Sequence, residues 1–202
     1  MCGAQGAAPC AGCAAELRPA PALPAPPGLD SCAALLSYAG AGRELVARLK
    51  YRNARGSVPF LARGMAALAP AGVEVVTWAP TTPARLRRRG FDQARLLARA
   101  VARELGVPCQ PLLARRPGPA QTGRDAAGRH SGPGFAGRRA IGGRRVLLVD
   151  DVVTTGATVA AASRALKDAG AGHVHAVAAA RTPPSRRHID SDVAEKRSRS
   201  WK

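Results

Sequence analysis

The chain has 202 residues, 46% of them hydrophobic, which is enough to bury a core and too apolar for a disordered chain. Its 31 basic residues, 27 of them Arg, outnumber 13 acidic ones and leave a net charge of +18, a balance that attracts phosphates. Seven aromatic residues are too few for the stacking platforms that grip single-stranded nucleic acid, and no apolar run reaches the ~20 residues of a membrane helix. The opening MCGAQGAAPC has neither the charge nor the apolar stretch of an export signal, so a cytoplasmic, reducing setting is expected.

Residues 1–31, rich in Cys, Pro, Ala and Gly, read as a small separate module with a linker. From Ser31 onward CAALLSY suggests a strand, and Leu45, Val46 and Leu49 fall at helical spacing within 42–52. A second helix is expected over 58–68. The β-branched run Val73 to Trp78, closed by Pro80, reads as a buried strand. Residues 91–105 place Leu96, Leu97, Ala100, Val101 and Leu105 on one stripe, with Arg95, Arg99 and Arg103 facing away. A short strand is expected over 111–114. The Gly, Pro and Arg-rich residues 115–143 then form a connection far longer than ordinary ones, and such loops are functional or disordered. RRVLLVDD reads as a strand, 157–169 as a helix and 173–180 as a strand, the order of a right-handed parallel crossover. Residues 182–202 carry six basic and three acidic residues without hydrophobic periodicity and read as a disordered tail. The transferable unit is therefore 32–181.

The strongest chemical signal is VLLVDDVVTTGAT, residues 146–158. In a parallel sheet the carboxyl ends of strands open onto the ligand crevice, which puts Asp150 and Asp151 at the substrate. Thr154, Thr155, Gly156, Ala157 and Thr158 follow on the turn into a helix, where free amides and the positive helix end favour a phosphate. Carboxylates repel a phosphate but accept hydrogen bonds from sugar hydroxyls, so a phosphorylated ribose satisfies both halves. The bland alternative is an acidic helix cap, in which Asp151 and the threonines merely satisfy orphan amides. A cap needs one acid, not an adjacent pair followed by TTGAT.

The loop resembles the phosphoribosyl pyrophosphate (PRPP) loop of type I phosphoribosyltransferases. The order RELVARLKYR (43–52), WAPTTPARLRRRGFDQA (78–94), RRPGPAQTGR (115–124) and the PRPP loop is similar to that of ComF-family proteins, over most of 33–181. The fold implied is α/β: a mainly parallel twisted sheet flanked by helices, preceded by a short Cys-rich module and followed by a disordered tail. The resemblance implies that Asp150 and Asp151 hold the ribose hydroxyls and that Thr154 to Thr158 hold the 5′-phosphate. Ala79, Pro80, Thr81 and Thr82, with Arg85 and Arg89, then offer amides and forked donors to the diphosphate. Arg116 and Gln121, with Arg124, fall in the family's flexible catalytic lid. Thr82 and Asp92 stand where the family typically has His and Asn.

Cys10-Ala-Gly-Cys13 has the spacing of a zinc knuckle, and ComF proteins commonly carry two such pairs. Cys2 is followed by Gly, as the second member of a knuckle is, which sets its partner upstream of Met1; alternatively Cys32 completes a four-sulfur site with Cys2, Cys10 and Cys13. A degenerate knuckle without metal is the other reading. Cys109 reads as a buried thiol, and His173 and His175, alternating on a strand, as structural. The expected function is transfer of the phosphoribosyl group of PRPP, carried with Mg²⁺, to an unidentified acceptor with release of diphosphate; Zn²⁺ is the metal expected of the cysteines. The rival is a competence accessory in DNA uptake that keeps the fold as a nucleotide-binding or regulatory module. Scarce aromatics and the intact acidic loop favour PRPP or ribose 5-phosphate over DNA as partner, with no membrane segment and no indication of oligomeric state.

Overall fold

A computed structural model describes residues 2, 8–22, 24–52, 54–116 and 134–183. The elements run α1 (Ala11–Ala15), β1 (Ser31–Ser37), α2 (Gly40–Arg52), α3 (Val58–Ala67), β2 (Val75–Trp78), α4 (Pro83–Arg89), α5 (Gln93–Leu105), β3 (Leu113–Arg115), β4 (Phe135–Gly137), β5 (Arg145–Val153), α6 (Ala157–Asp168) and β6 (His173–Arg181). Four strands form one all-parallel sheet in the order β1-β6-β5-β2. Because side chains alternate along a strand, β5 serves both faces. Leu147 and Val149 pack with Leu45, Leu49, Leu61, Met65, Leu97 and Val101 from α2, α3 and α5. Val146 and Leu148 pack on the other face with Val159, Ala162 and Leu166 of α6. Burial on both faces explains why VLLV is an unbroken apolar run rather than an alternating one.

The amphipathic reading of 91–105 holds for α5: Leu97, Ala98 and Val101 are fully buried and Arg95, Arg99 and Arg103 are exposed. Asp92 caps its start by accepting from the Arg95 amide at 3.2 Å, and Gly106, at φ +67°, closes its end. The structure differs from expectation around the long connection. The short strand falls at Leu113–Arg115, and it pairs antiparallel with β4, which lies inside the stretch read as irregular. Three-residue strands are too short to show a period; Phe135, buried against the α6 face, is what holds β4 down. The segment before β1 is also bound to the sheet. Ser37 donates its amide to Arg18, Ala20 to Leu35, and Asp30 to Val174.

The tail 184–202, with His188, and the stretch 117–133, with Gln121, Arg124 and His130, lie outside the described residues. Among the described residues no helix is long and apolar enough to cross a membrane.

Candidate active site

The carboxyl ends of β5 and β2 open into a cavity of about 420 Å³. Asp150 and Asp151 are consecutive residues near the end of β5 and both line the cavity; the Asp151 amide donates to Asp150 Oδ1 at 2.8 Å. Lys50 reaches in from α2 and pairs with Asp151, Nζ to Oδ2 3.2 Å, both side chains being mostly buried. Burial, and after it the neighbouring Asp151 carboxylate, pushes Asp150 up to about 8, against the Asp151 amide and the Lys50 charge. Burial thus favours the protonated form of Asp150.

Val152 and Val153 carry the strand into Thr154 and Thr155, both exposed, and α6 starts at Ala157. Gly156 is the residue before the helix, at φ +79°, and a Cβ there would stand 2.5 Å from Pro26 of the N-terminal linker. Glycine is thus required twice, for its backbone angle and for the linker's approach. Gly156 has no side chain to cap α6 and Asp151 is paired with Lys50 instead, but Thr155 Oγ1 accepts the Ala157 amide at 3.4 Å, so the capping reading holds for that threonine and not for the acid. Thr154 and Thr158 line the main cavity; Gly156 and Ala157 line a narrow cleft that opens between the same threonines and Asp150.

Across the cavity stands the turn after β2. Ala79, Pro80, Thr81, Arg85 and Arg89 line it, while Thr82 turns away to cap α4, accepting from the Arg85 amide at 3.2 Å. Asp92 fixes the turn from behind, Oδ2 accepting the Thr81 amide at 3.0 Å while Oδ1 caps α5. Arg89 gives Nη1 to Gln93 Oε1 at 3.2 Å and lies over the Tyr51 ring, yet its Nε is buried with no partner among the described residues. The Arg89 guanidinium is among the groups lining the cavity and offers an anion forked donors, while its Nε itself is enclosed.

The same sheet end therefore gathers a carboxylate pair, a phosphate-type helix start and a cationic turn around one cavity. A model of the phosphoribosyl transferase domain matches residues 92–202, more than half of the chain. The chain belongs to that family. Solved structures similar to this phosphoribosyl transferase domain include the glutamine PRPP amidotransferase of B. subtilis complexed with ADP and GMP, 24% identical over 61% of this chain and 26% of that one, TM-score 0.44. The purine phosphoribosyltransferase of Pyrococcus horikoshii Ot3 is 17% identical over 69% of this chain and 83% of that one, TM-score 0.34. The chain spans about a quarter of the amidotransferase's length, and these overlaps carry no residue roles. No curated protein matches the chain.

Other expected site residues of the phosphoribosyl transferase lie elsewhere. Arg116 is exposed and lines a groove with Arg138 and Arg139, not the cavity. Its neighbour Arg115 lines the cavity and donates to the Pro80 carbonyl at 3.2 Å. Lys50, Tyr38, Tyr51 and Gln93 also line the cavity without having been singled out. The signal for Lys50 and Tyr51 was present in RELVARLKYR, but a block says nothing of which side chain faces a site.

At the N-terminus the sulfurs of Cys2, Cys10 and Cys13 lie within 4.8 Å of one another, Cys2 to Cys10 being 3.4 Å. Cys32 does not join them. It sits on β1, where Arg181 Nη2 approaches its sulfur to 2.9 Å and burial pushes its thiol up. Cys109 is half-buried beside β2, and His175 accepts or donates at 2.9 Å to Ser31, in keeping with a structural place.

Proposed function

We propose that the chain is a ComF-like phosphoribosyltransferase that binds PRPP with Mg²⁺ and passes its phosphoribosyl group to a nitrogen acceptor. The observation that carries this is the single cavity lined by Asp150, Asp151, Thr154, Thr158, Arg85 and Arg89. In this reading the two carboxylates accept hydrogen bonds from the ribose 2′- and 3′-hydroxyls, Asp150 giving its proton to solvent water as the sugar binds. The α6 amides and the hydroxyls of Thr154 and Thr158 hold the 5′-phosphate. Arg85 and Arg89 take the diphosphate and stabilise it as it leaves; the turn's amides are spent, Ala79 on the Val149 carbonyl and Thr81 on Asp92, and Pro80 has none. The bond from C1 to the diphosphate oxygen breaks with its electron pair on oxygen, a C1–N bond forms, and the nitrogen gives its proton to water.

Mg²⁺, held on PRPP's own oxygens and beside the Asp150–Asp151 pair, would neutralise diphosphate charge when bound. The donor set fits a hard cation. The soft donors are at the other end: tetrahedral thiolates at ~2.3 Å from Zn²⁺ stand about 3.8 Å apart, a span that Cys2, Cys10 and Cys13 nearly share already. We assign them to Zn²⁺ in an N-terminal module of residues 1–31 ahead of a transferase domain at 32–181.

The test is diphosphate release from PRPP and Mg²⁺ across a panel of nitrogen acceptors. One acceptor should support turnover, and Arg89→Ala should cut it at least about tenfold. Turnover of none, or an Arg89→Ala variant as active as the parent, contradicts the reading.

A further inference from the structure

The larger cavity of the protein is not the candidate active site. It is an open cleft of about 720 Å³ against β2, the edge strand, and the start of α5. Pro80, Thr81 and Asp92 line both cavities, so the turn after β2 is a common wall; none of residues 150–158 reaches the larger one. Its volume lies within the ~300–1,000 Å³ of small-molecule pockets.

Its walls have a definite chemistry. Trp78 and Phe91, in a chain with seven aromatic residues, both face it. Arg55 lies 5.1 Å from the Phe91 ring centre; on the other side the Arg95 guanidinium lies 5.7 Å from the Trp78 ring centre and is joined in the wall by Arg99 and Arg138. Among the described residues none of Arg95, Arg99 and Arg138 is in a salt bridge. The carboxylate in the wall, Asp92, is engaged through both oxygens by the Thr81 and Arg95 amides. Leu113 and Leu96 supply apolar surface below the rings.

Uncompensated guanidiniums call for an anion, since forked N–H donors match phosphate oxygens. Two rings and an apolar floor call for a flat aromatic body, which bare phosphate lacks. An Arg-rich surface in water would need neither the rings nor the cleft. We propose that this second cavity binds a nucleoside phosphate, its base against Trp78 and its phosphates on Arg95, Arg99 and Arg138.

The test titrates ADP into the full chain carrying Trp201→Phe, which leaves Trp78 as the sole indole. Trp78 fluorescence and calorimetry are read in parallel, and inorganic diphosphate and a short single-stranded oligothymidylate are titrated separately. The proposal expects saturable quenching by ADP that survives saturating PRPP and Mg²⁺ and is kept in Asp151→Asn. In Arg95→Ala/Arg99→Ala the ADP affinity should fall at least about tenfold while PRPP affinity stays.

Each of four results overturns it: no saturable ADP binding, heat without Trp78 quenching, undiminished affinity in the double variant, or displacement by PRPP or inorganic diphosphate, which would put ADP in the active site. Saturation by the oligonucleotide where ADP fails would make the face a nucleic-acid surface instead. A chain that binds ADP here but never PRPP would refute the transferase reading and leave this one standing.

Discussion

Asp150 is pushed toward its protonated form where its neighbour Asp151 is held by Lys50, and the difference is one of burial and order of charge. A carboxyl raised from its ordinary value near 3.8 to about 8 binds a proton in the folded chain and not in the unfolded one across that interval. Its contribution to stability is therefore complete below the ordinary carboxyl range and is lost as pH rises toward the raised value. Asp150→Asn removes the ionising group, so its melting temperature should overtake the parent's between pH 6 and 9 in scanning calorimetry. Parallel melting curves across that range would show that Asp150 ionises normally. This protonation state was not legible in the sequence, where DD announces two acids but not that one of them is enclosed.

At the scale of elements, the turn after β2 is held by the residue that starts the next long helix. Asp92 accepts the Thr81 amide and caps α5 with one carboxylate. Asp92→Ala should cost about 1 kcal/mol of unfolding free energy as a lost cap and, by freeing the turn, raise the KM for PRPP more than it lowers kcat. An unchanged KM would separate the turn from substrate binding. From the sequence, the long elements β5, α5, α6 and β6 are readable because their apolar periods run for nine residues or more. The β3–β4 pair is not, since three-residue strands joined from either side of 117–133 show pairing only in space. The N-terminal cysteines belong to this scale too. Removing the metal assigned to them with a chelator should release about one zinc per chain and loosen α1 in hydrogen exchange, while leaving the melting of the sheet within a few degrees. A chain purified without zinc and unaltered by chelation would contradict the assignment.

For the molecule as a whole, the sheet places on one rim residues that lie up to a hundred positions apart: Lys50 from α2, the 79–89 turn and the 150–158 loop. Sequence reading found the second and third because their residue types state their chemistry, the acid pair beside a glycine turn and the arginine run beside a proline turn. It passed over Lys50, Arg115 and Gln93, whose roles come from the crossing of α2, α5 and β3 over the cavity, and it set Arg116 in place of Arg115 by one position. The larger cavity behind the turn was not legible either: part of its wall lies in the 78–94 block, but Arg95, Arg99 and Arg138 join it only in space.

The central claim is that this rim holds PRPP, and isothermal calorimetry of the chain with PRPP tests it most directly. The account predicts saturable one-to-one binding that depends on Mg²⁺ and is weakened about tenfold or more in Asp151→Asn, as the loss of a charged hydrogen bond requires. No saturable heat with the wild-type chain, or equal affinity in Asp151→Asn, would contradict it.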